Sequence, residues 1–550
     1  MRLSSGRASC RLILFALVAA SGLAGAQTPI LEANGDAGDD DDLGWSVAVA
    51  GDVDGDGHDD VLVGVKNDGA TYNGGARLYS GADGIQLLSW VGADPYDRMG
   101  VAVAGVGDVN DDGAPDVLIG APRQTLFGTW TGPGFAHLYS GADGRLIQRL
   151  DGDQHGDDFG ACVAQMGDLN GDGRAEFVIG APAFDTAQQS VGRLRVFNGD
   201  TLLPMYTFTG PLEWGLFGTS AADAGDVNLD GVPDILVGAP TPGAEPDGGH
   251  VYVYSGATGQ LLLTVEGGSY DDYFGRAVCG LGDLNADGRA DFAAGMPGFN
   301  RVLICSGATG AVLHTVQGKA ASEFGWALAP AGDLDGDGLA DLVVGAWRDD
   351  SPPSISPWNQ GSVSIISSGD GSLMWRFFGS TDASSFGRAL AGGGDLDADG
   401  HADLVIGEPG HGSAPGGQIG RAHGYSLHPW TGLGHGLAGA HLPPALWSEG
   451  SLVGGTSLKL RLAAAPASAP VALIVGFSAL MAPFKGGTLV PNPDLIVAGL
   501  FASTAGQLTL STTWPSGVPA GVELHMQAWV VDPAGRAGFS ASPGVVGVTR

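Results

Sequence analysis

The sequence has little of what marks a disulfide-stapled, nucleic-acid-binding or membrane-spanning protein. Its 550 residues include 4 cysteines, without a C-x-x-C pair, and 25 Lys and Arg against 60 Asp and Glu. The formal charge of −35 repels nucleic acid and acidic lipid surfaces, so cations are the expected partners. No apolar run reaches the roughly 20 residues that a membrane-spanning helix needs, so no membrane span is expected.

Local signatures of catalysis are also missing. The sequence contains no H-E-x-x-H, no G-x-S-x-G and no Cys-His pairing motif, which would indicate a metalloprotease, a serine hydrolase or a cysteine nucleophile. We therefore expect a non-catalytic protein. The many paired carboxylates keep one alternative open, an extracellular polysaccharide-acting enzyme, either a lyase or a hydrolase.

The first 26 residues have the pattern of a secretory signal. Three arginines are followed by an apolar run from Leu12 to Ala20 and then by Ala24-Gly25-Ala26, a small-residue cleavage site. We expect residues 1–26 to be removed and the chain to be secreted or held at the extracellular surface. Once Cys10 leaves with the signal, the remaining cysteines are expected as buried free thiols, with one disulfide as the alternative: Cys162, Cys279 and Cys305.

Aspartate-rich loops recur through most of the remaining chain. The segment Asp52-Val-Asp54-Gly-Asp56-Gly-His-Asp-Asp60 is the first of seven copies, spaced 50 to 62 residues apart. A fixed period of this size indicates a repeat architecture. The later copies start at Asp108, Asp168, Asp226, Asp283, Asp333 and Asp395.

Each repeat also carries four short stretches with the alternation of half-buried strands, separated by turns rich in Gly, Asp and Ser. Four strands repeated seven times predict an all-β fold, a seven-bladed β-propeller over residues 27–430. The last repeat lacks a fourth strand, and residues 29–35 copy that strand's pattern. We therefore expect residues 29–35 to close blade seven.

The acidic loops have the composition of calcium sites. Side chains at positions 1, 3, 5 and 9 and the backbone carbonyl at position 7 supply oxygens, and Ca²⁺ takes six or more oxygens at about 2.4 Å. All seven loops have the position-6 Gly that permits the sharp turn. We predict up to seven Ca²⁺, one per blade. In chain order, the predicted ligand residues are Asp52, Asp54, Asp56, His58, Asp60, Asp108, Asn110, Asp112, Ala114, Asp116, Asp168, Asn170, Asp172, Arg174, Glu176, Asp226, Asn228, Asp230, Val232, Asp234, Asp283, Asn285, Asp287, Arg289, Asp291, Asp333, Asp335, Asp337, Leu339, Asp341, Asp395, Asp397, Asp399, His401 and Asp403.

EF-hands and plain solvated turns are the alternatives for these loops. An EF-hand needs a bidentate Glu at position 12, where this chain has strand residues such as Val63 and Ile119. Solvated Asp-Gly turns would explain one copy but not seven in register. Because ligand charge tunes affinity, the loops with Asp at position 3, which start at Asp52, Asp333 and Asp395, should bind most tightly, and Glu176 should loosen the third site.

The repeat resembles the FG-GAP repeat of integrin α-subunit propellers and bacterial surface proteins. Phe159-Gly160 precedes the acidic loop from Asp168, and Gly180-Ala181-Pro182 follows it. The resemblance covers roughly residues 29–427 and implies a calcium-binding propeller for adhesion or ligand binding. In integrins only some blades carry the calcium loop, whereas here all seven do.

The face opposite the acidic loops should hold the ligand site, because long loops are the usual binding segments. It should collect the loops 123–134 and 347–361, with Phe127, Trp130 and Trp358, and the connections around Tyr96, Asp97, Trp214, Tyr270 and Asp271. An extracellular protein or a glycan is the expected ligand. Residues 431–550 carry few charges and separate strand-like runs, which predicts a small C-terminal β-sandwich-like domain without a recognisable site.

Overall fold

The computed structural model describes a propeller region and the strands of a C-terminal region. The described parts are residues 29–35, 41–68, 71–123, 132–241, 248–269, 271–334, 337–350, 359–379, 383–398, 400–411 and 419–427, and the strands given below beyond residue 430. The signal expected over residues 1–26 lies outside them. Contacts divide the chain into a unit over Pro29–Leu427 and a second unit that starts at His428.

The first unit consists of seven four-stranded antiparallel sheets, so the predicted all-β class and seven-bladed propeller are confirmed. Blades 1 to 6 take their strands consecutively from the chain. Blade 1 has β2 (Leu43–Gly51), β3 (Asp60–Val65), β4 (Gly75–Tyr79) and β5 (Gln86–Val91); blade 2 has β6 (Ala102–Gly107), β7 (Asp116–Ala121), β8 (Phe135–Tyr139) and β9 (Leu146–Asp151); blade 3 has β10 (Cys162–Gln165), β11 (Phe177–Ala181), β12 (Arg193–Phe197) and β13 (Pro204–Thr209); blade 4 has β14 (Ser220–Gly225), β15 (Asp234–Ala239), β16 (His250–Tyr254) and β17 (Leu261–Glu266); blade 5 has β18 (Val278–Gly282), β19 (Asp291–Met296), β20 (Arg301–Cys305) and β21 (Val312–Gln317); blade 6 has β22 (Ala327–Pro330), β23 (Leu342–Ala346), β24 (Ser362–Ile366) and β25 (Leu373–Phe378).

Blade 7 joins the two ends of the unit. It contains β26 (Leu390–Gly394), β27 (Asp403–Glu408) and β28 (Arg421–Tyr425), and its outer strand is the N-terminal strand β1 (Leu31–Asn34). Strand β1 pairs antiparallel with β28, with Leu31 opposite Gly424 and Asn34 opposite Arg421. The blade is thus completed from the far end of the unit, and Arg421 Nε donates to Asn34 Oδ1 across 387 residues of chain.

The burial of each strand follows its place in the blade. The second strands are continuous apolar runs such as Asp-Val-Leu-Val-Gly-Val in β3, buried at every position, as expected for strands covered on both faces. The fourth strands alternate and are largely exposed, as in β5 and β9. The core lies between neighbouring blades, where, for example, Leu118 of blade 2 packs with Phe177 and Ile179 of blade 3.

The Phe-Gly and Gly-Ala-Pro elements form the junctions between blades. Within blade 2, the Gly100 N–H donates to the Gly120 carbonyl at 2.9 Å, and five further blades repeat this bond. A Cβ on Gly120 would lie 2.0 Å from the Gly160 carbonyl oxygen of blade 3. The last junction repeats the pattern, because a Cβ on Gly407 would lie 2.1 Å from the Gly44 oxygen of blade 1. Glycine is required there for the blades to approach each other.

The described residues of the second unit lie in β-strands. The strands are β29 (Thr431–Gly432), β30 (Ala445–Glu449), β31 (Ser457–Ala463), β32 (Pro470–Gly476), β33 (Ala479–Phe484), β34 (Gly487–Pro491), β35 (Leu495–Phe501), β36 (Leu508–Thr513), β37 (Glu523–Val531), β38 (Phe539–Ala541) and β39 (Val545–Val548). They form a sheet in the order β29-β39-β37-β32-β35 with β38 paired to β37, a sheet β30-β31-β36 and a pair β33-β34. The sandwich-like arrangement stays a prediction.

Cys162, Cys279 and Cys305 are free and buried, as expected for the favoured alternative of free thiols. Among the described residues the helical element is the short 3₁₀ turn Pro297–Phe299. No helix in those residues is long and apolar enough to cross a bilayer.

Candidate metal centres and the opposite face

The position-1 aspartate shapes each acidic loop by accepting backbone hydrogen bonds. Its Oδ2 accepts from the N–H of the position-6 Gly at 2.8–2.9 Å in all seven loops. In the first loop, Asp52 Oδ1 also accepts from Gly55 at 2.8 Å and Asp56 at 3.0 Å. Gly57 has φ +92°, a left-handed conformation that favours glycine. The sequence therefore wraps the loop around one carboxylate.

The position-9 acid anchors the loop to the blade. It is buried in every loop, with at most 1% of its surface exposed, and accepts from the position-2 N–H at 2.5–2.9 Å. In five loops it also accepts from a backbone N–H of the turn between the third and fourth strands, at 2.9–3.3 Å. The acidic loops and these turns therefore share one face of the ring.

Burial makes the charged form of the position-9 acid costly. Desolvation is the largest cause and raises the pKa of Asp60, Asp116 and Asp234 to about 6. The backbone N–H groups that donate to these carboxylates lower the pKa, but by less. The pKa values of Glu176 and Asp291 are raised for the same reason. A nearby cation would favour the charged form.

Position 3 divides the loops into two classes. In loops two to five the Asn Nδ2 donates to the position-9 carboxylate, at 3.4 Å for Asn110 and 3.3 Å for Asn228 and Asn285, and at 2.5 Å for Asn170. An Asp at position 3 has no proton to donate at neutral pH. In the first and seventh loops, Asp54 and Asp397 therefore bring a third carboxylate close to those at positions 1 and 9.

Three loops bring carboxylate oxygens together, within 4.8 Å of one another, among the described residues. Two of them, the first and seventh, have Asp at position 3, and the third has Glu176 at position 9, whose longer side chain reaches further. The three groups are Asp52, Asp54 and Asp60; Asp168, Asp172 and Glu176; and Asp395, Asp397 and Asp403.

The position-7 residues are predicted to offer only a backbone carbonyl, but several of their side chains join neighbouring loops. His58 Nδ1 lies 2.8 Å from the Leu396 carbonyl of blade 7, and Arg174 and Arg289 donate to the equivalent carbonyls of Val109 and Val227. Each residue thus reaches back to the preceding loop. Three pairs of neighbouring loops are joined in this way, the seventh with the first, the second with the third and the fourth with the fifth, which a single-repeat pattern does not reveal.

Two predicted ligands, Asp335 and Asp399, lie outside the described residues. The remaining residues of the predicted set belong to described loops, and their role as ligands stays a prediction.

The comparisons with known proteins agree with this geometry. The FG-GAP repeat pattern matches residues 43–79, 164–197, 218–254, 324–366 and 386–423, within blades 1, 3, 4, 6 and 7. This chain carries FG-GAP repeats. It is 33% identical over 240 residues to integrin alpha-5 of Xenopus laevis, covering 40% of this chain and 22% of that protein. It is 30% identical over 251 residues to integrin alpha-V of Gallus gallus, covering 42% and 23%. The chain thus spans less than a quarter of these relatives.

The Phe-Gly element of the FG-GAP repeats also shapes the face opposite the acidic loops. The residue before it has a positive φ of 50–57° in every blade, although none is glycine. Such a backbone is uncommon and costs energy, which the surrounding contacts must offset. These residues are Asp42, Arg98, Asp158, Leu216, Tyr273, Glu323 and Ser385.

A second buried acid, two residues before the Phe-Gly pair, was missed by the sequence reasoning. Asp157 accepts from the N–H groups of Gly134, Asp153, Gln154 and Phe159 at 2.9–3.3 Å, and Asp272 repeats the pattern in blade 5. Its fixed spacing from Phe-Gly was the signal that could have found it.

Asp97 is the equivalent residue in blade 2. The sequence predicts it among the acidic connections of the ligand face, and the structure shows that it is 1% exposed and accepts from Arg123 Nε at 2.9 Å. It organises a turn and is not offered to a ligand. Trp214 is exposed, as expected. Phe127, Trp130, Tyr270 and Trp358 lie outside the described residues.

Proposed function

We propose that this chain is a secreted or cell-surface, calcium-stabilised propeller that binds an extracellular protein or glycan without a catalytic step. The observation that carries the proposal is the division of the ring into two faces. Seven equivalent acidic loops occupy one face, which suits a repeated structural role. The other face carries side chains that differ from blade to blade, which suits a single ligand site.

The chemistry of the acidic loops fits Ca²⁺. In the seventh loop, Asp397 Oδ1 is buried and has no hydrogen-bond partner among the described residues, while the carboxylates of Asp395 and Asp403 lie within 4.8 Å. A buried oxygen without a partner is costly, and so is crowding of like charges. Oxygen-only donor sets of this kind suit Ca²⁺ or Mg²⁺, and the irregular loop geometry favours the larger ion.

Bound calcium would neutralise the converging carboxylates, while residues of the chain itself fix the shape of each loop and its attachment to the blade. The position-1 Asp holds the turn, the position-9 acid joins the loop to the blade, and side chains such as His58 and Arg174 join neighbouring loops. Loss of calcium should therefore loosen several blades together. The loops starting at Asp52, Asp333 and Asp395 should bind most tightly, since Asp supplies a charge at position 3 where Asn supplies none.

The similarity to integrin alpha chains supports a binding role, and no observation on the described residues favours the polysaccharide-acting alternative. The chain matches less than a quarter of those proteins, so their partners are not transferred.

The function is tested with the full chain immobilised in calcium or in a chelator and exposed to arrays of matrix proteins and glycans. We expect capture of one class of ligand in calcium only. Release of reducing sugar or unsaturated oligosaccharide from a bound polysaccharide would contradict the non-catalytic proposal. The double variant Asp395→Asn/Asp397→Asn, which keeps the size of both side chains, should need more calcium for the same capture.

Secretion is tested separately by expressing the full chain and sequencing the N-terminus of the released protein. We expect Gln27 as the first residue. Retention inside the cell with an intact Met1 would contradict the secretory assignment.

A further inference from the structure

A cluster of basic side chains lies at the axis of the ring, at the end opposite the acidic loops. The first strands of all seven blades line the central channel, and Arg276, Trp326, Arg388 and Trp45 lie at or just before the starts of four of them. Lys66 and Trp347 follow the second strands β3 and β23 on the same face. We call Lys66, Arg98, Arg276 and Arg388 the axial cluster.

Tryptophan rings hold three of these cations in place. Lys66 Nζ lies 3.3 Å from the centre of the Trp45 ring, and Arg388 Cζ lies 3.8 Å from it. Arg388 also lies 5.2 Å from Trp326 and from Trp347. Arg276 Cζ lies 4.0 Å from Trp326. Cation–π contacts orient these groups but supply no counter-charge.

Acids near the cluster attract it through space: Asp42 acts on Lys66, Arg98 and Arg388, and Glu323 acts on Arg276 and Arg388. Within the described residues, no carboxylate lies within 4.0 Å of a nitrogen of Lys66, Arg98, Arg276 or Arg388, and Arg98 Nε is buried without a hydrogen-bond partner. Nearby Glu323 is already engaged by Arg348 Nη1 at 2.7 Å and Trp347 Nε1 at 2.9 Å. In a protein of formal charge −35, four cations here thus lie near three acids, Asp42, Asp158 and Glu323, and Glu323 is shared with Arg348.

Burial and mutual repulsion oppose these charges. Desolvation is the largest cause that lowers the pKa of Lys66, to about 8, and the pKa of Arg388, to about 10. Repulsion from Arg98 lowers the first value further, and repulsion from Arg276 lowers the second. Desolvation also lowers the pKa of Arg276 to about 10. A cavity of about 970 Å³ is lined by Arg276 and Trp326, so an incoming group can approach the cluster at Arg276.

We propose that the axial cluster binds the carboxylate of an acidic side chain presented by a protein ligand. Guanidinium groups suit a carboxylate because they offer paired N–H donors. The inference rests on the proposed function, since it names the ligand chemistry of the face proposed to bind.

The surroundings favour a protein over an acidic glycan. Sugars stack on free tryptophan faces, whereas Trp45 carries Lys66 and Arg388, and Trp326 carries Arg276 and Arg388. The cavity wall also includes Asp158, Glu323 and Asp350. These acids would repel a polymer with many carboxylates more strongly than a single carboxylate flanked by neutral residues.

The test uses the calcium-loaded full chain and two peptides that differ in one group, acetyl-Gly-Ser-Glu-Ser-Gly-amide and its Gln counterpart. Saturation-transfer NMR titrations should show the Glu peptide binding at least about tenfold more tightly, because the Gln peptide lacks the charge-assisted bonds. Arg276→Gln and Lys66→Gln should each weaken the Glu peptide severalfold. The control Arg145→Gln removes an 85% exposed charge from a turn on the acidic-loop face and should leave binding unchanged.

Equal binding of the two peptides, or equal binding by wild type and both cluster variants with unchanged melting temperatures, would overturn the inference. Binding of an oligogalacturonate alone would overturn the protein ligand class. Calcium-dependent capture of a surface ligand by a protein that binds neither peptide would overturn this inference and leave the proposed function intact.

Discussion

Gly120→Ala should open the junction between blades 2 and 3. The new Cβ would lie 2.0 Å from the Gly160 carbonyl oxygen and 2.9 Å from its carbon, against an ordinary contact of about 3.4 Å or more. Both obstructing atoms are backbone, so a whole strand must move by about 1 Å or more. Overpacking of this kind costs about 1–3 kcal/mol, and we expect the upper end because no rotamer change relieves it.

The assay is denaturant unfolding in calcium, followed by intrinsic fluorescence. The control is Gly268→Ala, where nothing lies within 4 Å of the added Cβ and φ is not positive, so its stability should stay within about 0.5 kcal/mol of wild type or rise slightly. A midpoint for Gly120→Ala equal to that of Gly268→Ala would refute the junction argument. Gly407→Ala should behave like Gly120→Ala, because it obstructs the closing junction between blades 7 and 1.

Three further predictions concern the loops and the core. Asp52→Asn should lower the melting temperature even in a chelator, because its amide nitrogen cannot accept the Gly57 N–H now bonded at 2.9 Å; calorimetry should show about 1–3 kcal/mol lost. Asp397→Asn should weaken calcium binding at the seventh loop about tenfold by removing one ligand charge, whereas Asn228→Ala should weaken binding at the fourth loop by less. Equal losses of calcium affinity in the two variants, measured by calorimetry, would refute the claim that charge at position 3 sets the affinity. Burial raises the pKa of Cys162 to about 11 and that of Cys279 and Cys305 to about 12, so little of each thiol is ionised at pH 8. We therefore expect these cysteines to resist a thiol reagent at pH 8 until the protein is unfolded.

The repeating features of the fold could be predicted from the sequence, because each occurs once per blade. The acidic loops, the Phe-Gly pairs and the strand pattern all recur at one period, and the incomplete last repeat suggested the pairing now seen between β1 and β28. The buried acids Asp97, Asp157 and Asp272 were missed because the corresponding residues before blades 4, 6 and 7 are Gly215, Ser322 and Ser384.

Side-chain contacts between neighbouring blades could not be predicted in the same way. Arg388 stacks on Trp45, a residue far earlier in the chain, because the ring closes between blades 7 and 1. The pairing of Arg174 with the Val109 carbonyl depends on the angle between neighbouring blades. Such contacts arise from the assembled ring, and no local pattern in the chain encodes them.

Metal content tests the central claim most directly. The purified full chain would be dialysed against metal-free buffer with limiting calcium, and its bound ions counted by native mass spectrometry alongside melting curves with and without a chelator. The acidic loops predict several Ca²⁺ per chain, up to seven, and a melting temperature that falls sharply in the chelator. A chain that holds no divalent ion and melts at the same temperature in both buffers would contradict the account.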